Sequence, residues 1–380
     1  MTLPELSLYI HLPWCERKCP YCDFNSHEFN ELPEAEYVDA LLRDLEFDAA
    51  MAQERVIRSV FIGGGTPSLF SAQAVAKLIH GVRSQIALDT DVEITLESNP
   101  GSAEAEKFAA FAAAGITRLS IGVQSFDDQR LHALGRVHDS AQAHAACDMA
   151  VKAGFHSVNI DLMHGLPGQN ANAACSDLKQ AIDHRPNHLS WYQLTIEPNT
   201  VFHKQSPELP DEDVLVEIQA QGEAIIAANG FEQYEVSAYA RAGHRCQHNL
   251  NYWTFGDYLG IGAGAHGKVT FSDGRILRYN KTRQPSHYLN AQRAELTVQR
   301  SSLKPVDVRG EFALNALRLN EGFSLKQFVD RTGLEPAALE PTLSEFQKRG
   351  FLKIVGDQVS TTDLGRRFLD DVVSGFFSEI

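Results

Sequence analysis

The chemistry of this chain is concentrated in three cysteines near its amino terminus. Cys15, Cys19 and Cys22 have the spacing Cys-x3-Cys-x2-Cys, so half of the six cysteines lie within eight consecutive positions. Thiolates are soft ligands, and three of them in one short loop suit a metal ion or an iron–sulfur cluster. Three ligands are one fewer than a closed tetrahedral site or a fully ligated four-iron cluster needs. The spacing therefore predicts a metal centre with one open position for a substrate or a cofactor.

Two other interpretations of the cysteine loop are buried or disulfide-bonded thiols and a non-catalytic zinc scaffold. The amino terminus has no basic segment followed by an apolar run, and no stretch reaches the length of a membrane span, so we expect a cytoplasmic protein. Disulfides are rare in that reducing compartment. We therefore expect Cys147, Cys175 and Cys246 to be buried free thiols.

The charge of the chain disfavours two classes of partner. Its formal net charge is -15. A general nucleic-acid binder needs a basic surface that releases counterions from phosphates, and a membrane anchor of the polybasic type needs clustered lysines and arginines. We expect neither function.

The elements that position the cysteine loop follow an alternating pattern. From residue 6 to about residue 196, short β-branched runs alternate with helical patterns, which is typical of strand–helix units in a parallel sheet. Predicted strands cover 8–12, 56–62, 92–97, 118–124, 157–163 and 189–196. Predicted helices cover 33–52 and 71–86, and a third begins at an N-cap, Ser102, and ends at Gly115.

Polar residues in these predicted strands fall at the carboxyl ends. A glycine run, 63–65, follows the second strand, Glu97 ends the third, Gln124 ends the fourth, and Asp161 lies late in the fifth. Side chains at the carboxyl ends of parallel barrel strands converge on one mouth. The six units predict an α/β fold with a partial (β/α)6 TIM-like barrel, whose mouth carries these residues beside the cysteine loop.

The cysteine spacing resembles the signature of the radical S-adenosylmethionine (SAM) superfamily. That resemblance implies one 4Fe-4S cluster per chain, held by Cys15, Cys19 and Cys22, with its open iron chelated by the amino and carboxylate groups of SAM. It also implies an electron donor such as flavodoxin or ferredoxin. The cofactor then supplies the radical chemistry, and the protein orients it.

The resemblance assigns further residues to SAM. Gly64, Gly65 and Thr66 would expose backbone groups to its methionine part. A carboxylate at Glu97 would face its ammonium group or ribose, and the planar fork of Arg136 would pair with its carboxylate. The structural alternatives are a tight turn for the glycines, a rim salt bridge for Glu97 and a solvated side chain for Arg136.

Four more side chains are candidates for the same pocket. Gln124 and Asp161 would hydrogen-bond the ribose or a second ligand, or else satisfy neighbouring loop backbone. The rings of Tyr9 and Tyr21 would line the pocket, or else belong to the core.

Longer stretches resemble the oxygen-independent coproporphyrinogen III dehydrogenase-like family and, inside it, its haem-chaperone branch. They lie at 9–15, 63–67, 122–126, 159–167 and 248–253. The dehydrogenases carry another cysteine two residues after the third ligand, where this chain has Phe24. A phenyl ring cannot replace a thiol, which puts oxidative decarboxylation of coproporphyrinogen in doubt and leaves cluster and SAM binding intact.

The stretch at 248–253 is similar to a haem-binding motif of that branch. Histidine is a common axial ligand of haem iron, so His248 is the predicted haem ligand, and the rings of Tyr252 and Trp253 would cover the porphyrin. A hydrogen-bonded structural histidine is the alternative. The chain lacks the Cys-x-x-Cys-His pattern of covalent haem attachment here.

The remaining sequence holds a glycine-rich run and a small terminal domain. The run at 260–264 is not interpreted as a dinucleotide-binding motif, because no clean strand precedes it and no helix follows it. Predicted helices at 312–319, 325–332 and 336–349 are followed by a hairpin that turns at Gly356 and Asp357. This pattern resembles a winged-helix-like α+β domain, and its low positive charge favours a lid or docking module over a DNA reader.

Together these observations predict three regions: a barrel with the cluster loop at 1–235, a connecting region with the haem motif at 236–300, and a terminal domain at 301–380. The function that the resemblance implies is a haem chaperone that cleaves SAM and delivers haem to acceptor haemoproteins such as respiratory-chain cytochromes. The alternative is coproporphyrinogen III dehydrogenase. Homodimerisation and peripheral association with membrane proteins stay open.

Overall fold

The structure, a computed structural model, describes residues 3–101 and 105–377. The predicted cap Ser102 lies outside the described residues. The strands are β1 (Leu6–Leu12), β2 (Trp14–Cys15), β3 (His27–Glu28), β4 (Ile57–Gly64), β5 (Leu88–Ser98), β6 (Arg118–Gln124), β7 (Ser157–His164), β8 (His188–Gln193), β9 (Glu232–Glu235), β10 (Ala238–Ala240), β11 (Asp257–Ile261), β12 (His266–Thr270), β13 (Ile276–Lys281), β14 (Thr297–Ser302), β15 (Phe323–Ser324), β16 (Leu352–Val355) and β17 (Gln358–Thr361).

Helices connect the parallel strands and cover the outer face of the sheet. Several begin at a side-chain cap, among them Ser71, Asp139, Asn170 and Asp211, which satisfies amide groups of the first turn. The described α-helices are Glu34–Asp48, Ala72–Gln85, Phe108–Ala113, Asp128–Ala133, Ser140–Lys152, Ala171–Asp183, Val201–Lys204, Glu212–Ala228, Gln247–Trp253, Pro285–Asn290, Arg293–Leu296, Pro305–Ala316, Leu325–Thr332, Thr342–Lys348, Asp363–Arg367 and Leu369–Ser374.

Twelve of the described strands form one mixed sheet in the order β14-β13-β12-β11-β1-β4-β5-β6-β7-β8-β10-β9. The central strands from β11 to β8 are all parallel, and the strands at both ends are antiparallel. The six predicted strand–helix units are present as β1 and β4 to β8. Strand β11 adds a parallel neighbour to β1, and β12 to β14 extend the same sheet.

The two faces of the parallel strands differ in polarity. In β1, Leu6, Leu8 and Ile10 belong to the hydrophobic core under the helices, whereas the hydroxyl of Ser7 bonds that of Ser59 in β4 on the opposite face. Successive side chains of a strand point to opposite faces, so the alternation gives an apolar outer face and a polar inner face. The candidate site residues in the strands lie on this inner face.

The C-terminal domain has its own hydrophobic core, formed around Phe312, Phe323 and Phe328. Strands β15, β17 and β16 form its small sheet, and β16 and β17 are the predicted hairpin. The prediction of one helix at 336–349 is wrong, because a 3-10 turn at Pro336–Leu339 is separated from helix Thr342–Lys348 by Glu340 in an extended conformation. A proline ring disfavours the helical conformation of the residue before it, so Pro341 imposes this break at Glu340.

Side chains of the barrel take part in the packing of the C-terminal domain. Phe255 belongs to its hydrophobic core and lies edge-on to Phe312 with the ring centroids 5.7 Å apart. Arg318 forms an ion pair with Glu235 at 3.1 Å, and Arg278 forms another with Glu311. The domain is therefore joined to the edge of the barrel by both apolar and charged contacts.

The glycine run at 260–264 begins inside β11, so the expectation that no strand precedes it is wrong. A Cβ atom on Gly260 would lie 1.8 Å from the carbonyl oxygen of His266, so close packing requires this glycine. Strand β12 follows the run, and a helix would be needed for dinucleotide binding.

In residues 3–101 and 105–377, no helix has both the length and the apolar character that a membrane crossing requires. The predicted free thiols Cys147, Cys175 and Cys246 are free and buried.

Candidate functional site

The cysteine loop lies between β1 and β3 at the carboxyl end of the parallel strands. Cys15 is in β2, which pairs with β3, and a turn bond from the amide of Cys22 to the carbonyl of Cys19 measures 3.1 Å. All three thiols are free and partly exposed. The loop is thus fixed at both ends while its thiols stay accessible.

Two of the cysteines contact different neighbours at the barrel mouth. The hydroxyl of Thr66 lies 3.5 Å from the sulfur of Cys15, and the guanidinium of Arg136 lies 3.7 Å from the sulfur of Cys19. Burial raises the pKa of Cys15 and Cys22; Cys19 and Cys22 add to the effect for Cys15, and Cys19 adds to it for Cys22. Three soft donors that influence one another electrostatically fit an iron–sulfur cluster. In the described part of the chain, no three His, Cys, Asp or Glu side chains already form a metal-binding group.

The glycine run packs directly under the cysteine loop. Gly64 has φ 116°, and a Cβ there would lie 2.6 Å from the ring of His11. A Cβ on Gly65 would lie 2.4 Å from the carbonyl oxygen of Trp14, and the amide of Thr66 bonds that same oxygen at 2.7 Å. Close approach of two backbone segments therefore requires part of this run, as the tight-turn alternative expected.

Glu97 lies inside the mouth at the end of β5. Its carboxylate accepts the amide hydrogen of Gly64 at 3.1 Å, and no described cation forms an ion pair with it. Burial and the neighbouring Asp161 raise the pKa of Glu97 to about 7. The rim salt bridge that was the alternative is not seen among the described residues, so the carboxyl is available to a positively charged ligand.

Asp161 is a second buried carboxyl beside Glu97. The hydroxyl of Ser120 and the side-chain amide of Asn159 donate to it at 2.9 and 2.8 Å. Burial raises its pKa despite these bonds. Burial favours the neutral form of both carboxyl groups, and a cationic ligand beside them would favour the ionised form instead.

Arg136 faces the same space from the loop after helix Asp128–Ala133. It donates to the side-chain oxygen of Asn99 at 2.6 Å and to the carbonyl of Gly122 at 2.8 Å. None of its described partners is a carboxylate, and its buried Nε has no hydrogen-bond partner among the described residues. The guanidinium is therefore held in place by neutral groups and remains free to pair with an anion.

These charges match the functional groups of SAM. The cofactor carries a positive sulfonium, a positive ammonium and a carboxylate. Counting only partners in the described ranges, Glu97 and Asp161 offer two carboxyl groups without a bonded cation, and Arg136 offers a cation without a bonded carboxylate, beside the three thiols. The residues present therefore fit both the cluster and SAM.

Gln124 and the two tyrosines also lie at this mouth. Gln124 has φ 68° and accepts a hydrogen bond from the hydroxyl of Tyr192 at 2.8 Å. The hydroxyl of Tyr21 accepts from Arg136 at 3.5 Å, and that of Tyr9 lies 2.9 Å from Nδ1 of His11. Burial raises the pKa of both tyrosines, so both hydroxyls stay protonated.

The predicted haem residue His248 lies beside Tyr9, with the ring centroids 6.4 Å apart, rather than beside the cysteine loop. It lies in helix Gln247–Trp253, where Ser59 near the start of β4 bonds its Nδ1 at 3.1 Å and Tyr252 bonds its Nε2 at 3.0 Å. The side chain is 1 % exposed and stacks on Phe61. Both ring nitrogens are therefore occupied, and the helix contacts the strands farther from their carboxyl ends than the cysteine loop does. Burial lowers the pKa of His248 to about 3, which keeps the ring neutral.

A cavity of about 170 Å³ lies beside this helix and next to the C-terminal domain, whose Asn315 is among its lining residues. Tyr252, Trp253 and Tyr258 line it with Lys268 and Arg278. The indole nitrogen of Trp253 is buried without a partner among the described residues. Aromatic rings and cations suit a porphyrin and its propionates, but the volume is below the roughly 300–1,000 Å³ of typical ligand pockets. A haem would have to widen this cavity.

Sequence reasoning missed several residues of the mouth. Asn99 links Arg136 to Thr66, whose hydroxyl accepts from its side-chain amide at 3.0 Å. Tyr192 reaches Gln124 from β8, and Asn159 reaches Asp161 from two residues earlier in β7. Asn99 closely follows the predicted strand 92–97, so the rule that found Glu97 also applies to it. Tyr192 lies in the middle of the predicted strand 189–196, and only the observed end of β8 at Gln193 places it near the carboxyl end.

Two family models match separate parts of the chain. The radical SAM superfamily matches residues 9–180, which include the cysteine loop, the glycine run and Asp161. The HemN C-terminal domain matches residues 303–368, which form most of the small domain.

Full-length relatives share the name heme chaperone HemW. The protein of this name from Escherichia coli (strain K12) is 50% identical over 380 residues and is covered completely, as is this chain. The one from Bacillus subtilis (strain 168) is 32% identical over 98% of this chain and 100% of its own length.

Among solved structures, coproporphyrinogen III oxidase (HemN) from Escherichia coli, described as a radical SAM enzyme, has the same fold. Its TM-score is 0.83 with 22% identity, over 100% of this chain and 91% of that chain. At this identity the likeness concerns the fold alone. On the sequence matches and the fold together, this chain belongs to the radical SAM superfamily and, within it, to the HemW family.

Proposed function

We propose that this protein is a radical SAM-type haem chaperone that holds a 4Fe-4S cluster and SAM, binds haem and delivers it to acceptor haemoproteins. The observation that carries the SAM half is a set of groups at the barrel mouth beside three free thiols: among the described residues, Glu97 and Asp161 are carboxyl groups without a bonded cation, and Arg136 is a cation without a bonded carboxylate. The haem half is supported by the name of relatives that match the whole chain at up to 50% identity.

In this proposal Cys15, Cys19 and Cys22 hold the cluster, whose open iron and SAM together supply radical chemistry when bound. The chain's own residues bind and orient the cofactor. Glu97 pairs with a positive group of SAM, and Arg136, positioned by Asn99 and the carbonyl of Gly122, pairs with its carboxylate.

Haem would bind at helix Gln247–Trp253. His248 would hold the haem iron once its ring leaves Ser59 and Tyr252, and the aromatic residues of the adjoining cavity would contact the porphyrin. Arg278, at the edge of that cavity, is paired with Glu311 of the C-terminal domain. Opening of this interdomain contact would therefore both widen the cavity and free a cation for a propionate.

The acceptors in this proposal are haemoproteins such as respiratory-chain cytochromes, and flavodoxin or ferredoxin reduces the cluster. Homodimerisation and peripheral association with membrane proteins at the site of delivery belong to the same proposal. The relatives' name, heme chaperone, supports haem acceptors as a class. A transfer assay that moves haem from the loaded chaperone to candidate apo-haemoproteins identifies the acceptor.

The haem half is tested by titrating tag-free protein with haem and recording absorbance. Wild-type protein should bind haem at one high-affinity site, and His248→Ala should weaken this binding at least about tenfold, which is the order of one lost coordinate or charge-assisted bond. His132→Ala is the matched control, since His132 is exposed on the barrel surface. Equal affinity of wild type and His248→Ala would remove His248 from the site.

The competing function is oxidative decarboxylation of coproporphyrinogen III. The fold shared with HemN favours it, whereas Phe24, 61 % exposed at the end of the cysteine loop, stands where the dehydrogenases have a thiol. An anaerobic assay with coproporphyrinogen, SAM and a reductant separates the two functions. Catalytic formation of protoporphyrinogen would contradict the chaperone proposal.

A further inference from the structure

A buried chain of hydrogen bonds leads from Asp161 to the start of helix Gln247–Trp253. The side chain of Asn159 bonds Asp161 at 2.8 Å and His188 at 2.6 Å, the other nitrogen of His188 lies 2.8 Å from the hydroxyl of Tyr234, and that hydroxyl lies 3.3 Å from the amide of Cys246. The four residues between the carboxylate and the helix are each at most 2 % exposed. We call this chain of hydrogen bonds the relay. One end of it is Asp161 at the barrel mouth, and the other is the amide of Cys246, two residues before His248.

The direction of every bond in the relay is determined by chemistry. Asp161 accepts when ionised, so the NH2 group of Asn159 faces it, and the amide oxygen then accepts from Nδ1–H of His188. Burial lowers the pKa of His188 well below its ordinary value, so its Nε2 is unprotonated and accepts from the hydroxyl of Tyr234. That hydroxyl oxygen accepts from the amide of Cys246. All donors therefore point toward Asp161.

A chain of hydrogen bonds that share one direction responds as a unit. Each bond polarises the next one, and in a buried environment the effect is stronger than in water. A cationic ligand beside Asp161 draws on this carboxylate, which weakens its hold on Asn159 and, through His188, changes the bond between Tyr234 and the amide of Cys246. The charge at the barrel mouth thereby affects the amino end of helix Gln247–Trp253, the haem-motif helix.

We propose that His188 and Tyr234 are positioning residues that couple occupancy of the SAM site to the affinity of the haem-motif helix for haem. This inference rests on the proposed function, since it needs both ligands. Coupling between two binding sites is reciprocal, so haem changes the affinity for SAM by the same factor.

Other contacts hold the helix independently of this relay. The carboxylate of Glu93 accepts from the amides of Gln247 and His248 at 2.9 and 3.3 Å, and Ser59 bonds His248 itself. Removal of one hydroxyl from the relay therefore leaves the helix attached. A variant at Tyr234 can report on coupling without removing the haem site.

The test measures the haem dissociation constant of cluster-loaded protein, kept anaerobic, with and without saturating SAM. In wild-type protein SAM should change this constant by about fivefold or more, the lower end of measured allosteric couplings. In Tyr234→Phe the ratio should fall to about one, while the constant without SAM stays within about threefold of wild type, because only the linking hydroxyl is lost. His188→Asn keeps a donor in place of Nδ1 and lacks Nε2, and it should lose the coupling in the same way.

Tyr239→Phe is the matched control. Tyr239 is also buried at 2 % exposure, in β10, but its hydroxyl takes no part in the relay. This variant should keep the wild-type ratio. A ratio of one in wild-type protein that binds both ligands would overturn the coupling and leave the chaperone proposal standing, and a wild-type ratio in Tyr234→Phe and His188→Asn would overturn the relay. Failure of wild-type protein to bind haem at all would refute the proposed function itself.

Discussion

The amide of Gly64 donates a hydrogen bond to the carboxylate of Glu97 at 3.1 Å, which joins the carboxyl ends of β4 and β5 at the barrel mouth. A Cβ on the preceding Gly63 would lie 2.9 Å from that carboxylate, so the glycine run leaves room for the acid. The glycine run and the acid thus form one unit of the candidate SAM site, although they are more than thirty positions apart in the sequence.

Glu97→Gln should weaken SAM binding by roughly 10- to 100-fold. The substitution keeps the shape and the bond from Gly64, and it removes the charge that would pair with a positive group of SAM, an interaction of about 1.5–3 kcal/mol. Equilibrium binding of SAM to cluster-loaded protein measures the effect. Glu106→Gln is the control, because Glu106 is exposed and lies outside the barrel mouth. Equal SAM affinity of wild type, Glu97→Gln and Glu106→Gln would contradict the role of Glu97.

The same residue should make the stability of SAM-free protein depend on pH. The folded pKa of Glu97, about 7, lies above its ordinary value of 4.5, so the folded state holds this proton more tightly than the unfolded chain does. The stabilisation is complete below pH 4.5 and is lost as the pH rises through 7, by up to about 3 kcal/mol for an isolated group.

Chemical denaturation at pH 5 and pH 8 tests this dependence. Wild-type protein should lose more stability between the two values than Glu97→Gln does. Burial also raises the pKa of Asp177, to about 6, so Asp177 contributes a loss of stability between these pH values as well. Its contribution is the same in both proteins, so the difference between them reports Glu97. An identical loss in both proteins would show that Glu97 ionises normally.

Each of Cys15→Ala, Cys19→Ala and Cys22→Ala should abolish the iron–sulfur cluster, because in the proposed site the three thiols are its whole protein ligand set. Iron and sulfide analysis of anaerobically reconstituted protein, together with the visible absorbance, measures the loss. Cys147→Ala removes a buried thiol from helix Ser140–Lys152, away from the loop, and Phe24→Ala removes an exposed ring from the loop itself. Both should keep full iron content, and zinc in place of iron in wild-type protein would support the scaffold interpretation instead.

Arg136→Lys should lower SAM affinity about tenfold or more and leave iron content unchanged. A lysine keeps the charge, but it cannot bond Asn99 and Gly122 together while it faces a carboxylate, because it lacks the planar fork. Arg185→Lys is a suitable control on the barrel surface, where the side chain is exposed. SAM affinity that survives Arg136→Lys would assign Arg136 to the cysteine loop alone.

The residues of the barrel mouth were predictable from the sequence, because the alternation of side chains along a strand and the polar residues at its carboxyl end are visible in short stretches of sequence. Glu97, Gln124 and Asp161 were found by that rule, and the structure brings Glu97 and Asp161 together. The environment of His248 was not predictable, since its partner Ser59 lies 189 positions away and no local pattern indicates that contact. The relay has the same character, because His188 bonds Asn159 and Tyr234, which lie 29 and 46 positions away in the sequence.

The connecting region shows the second reason for incomplete prediction. Strands β11 to β14 complete the sheet beside β1, yet their turns and short lengths give no repeated strand–helix signal. Their position depends on buried charges. Lys281 of β13 reaches Asp44 and Asp48 of the first helix at 2.6 Å each, across more than 230 positions. A sequence shows these three residues only as isolated charges.

Lys281→Met should therefore destabilise the fold strongly. Lys281 is 1 % exposed, and its removal leaves the carboxyl groups of Asp44 and Asp48 buried without a cation, which costs about 3–5 kcal/mol when one partner of a buried ion pair is lost. Chemical denaturation at pH 7 measures the loss. Lys326→Met is the control, because Lys326 is exposed and its ion pair with Asp330 on the helix surface contributes about 0.3–0.5 kcal/mol.

The pH dependence of Lys281→Met distinguishes lost charge pairing from lost packing. Burial already raises the pKa of Asp44, and without Lys281 it should rise further, so the variant takes up protons in the folded state that wild-type protein does not. Its deficit should shrink as the pH falls toward 4, because neutral carboxyl groups need no cation. A loss of stability that is the same at pH 4 and pH 7 would mean that Lys281 stabilises the fold through its aliphatic stem. A loss below about 1 kcal/mol at pH 7 would show that the ion pairs of Lys281 with Asp44 and Asp48 do not hold β13 against the first helix.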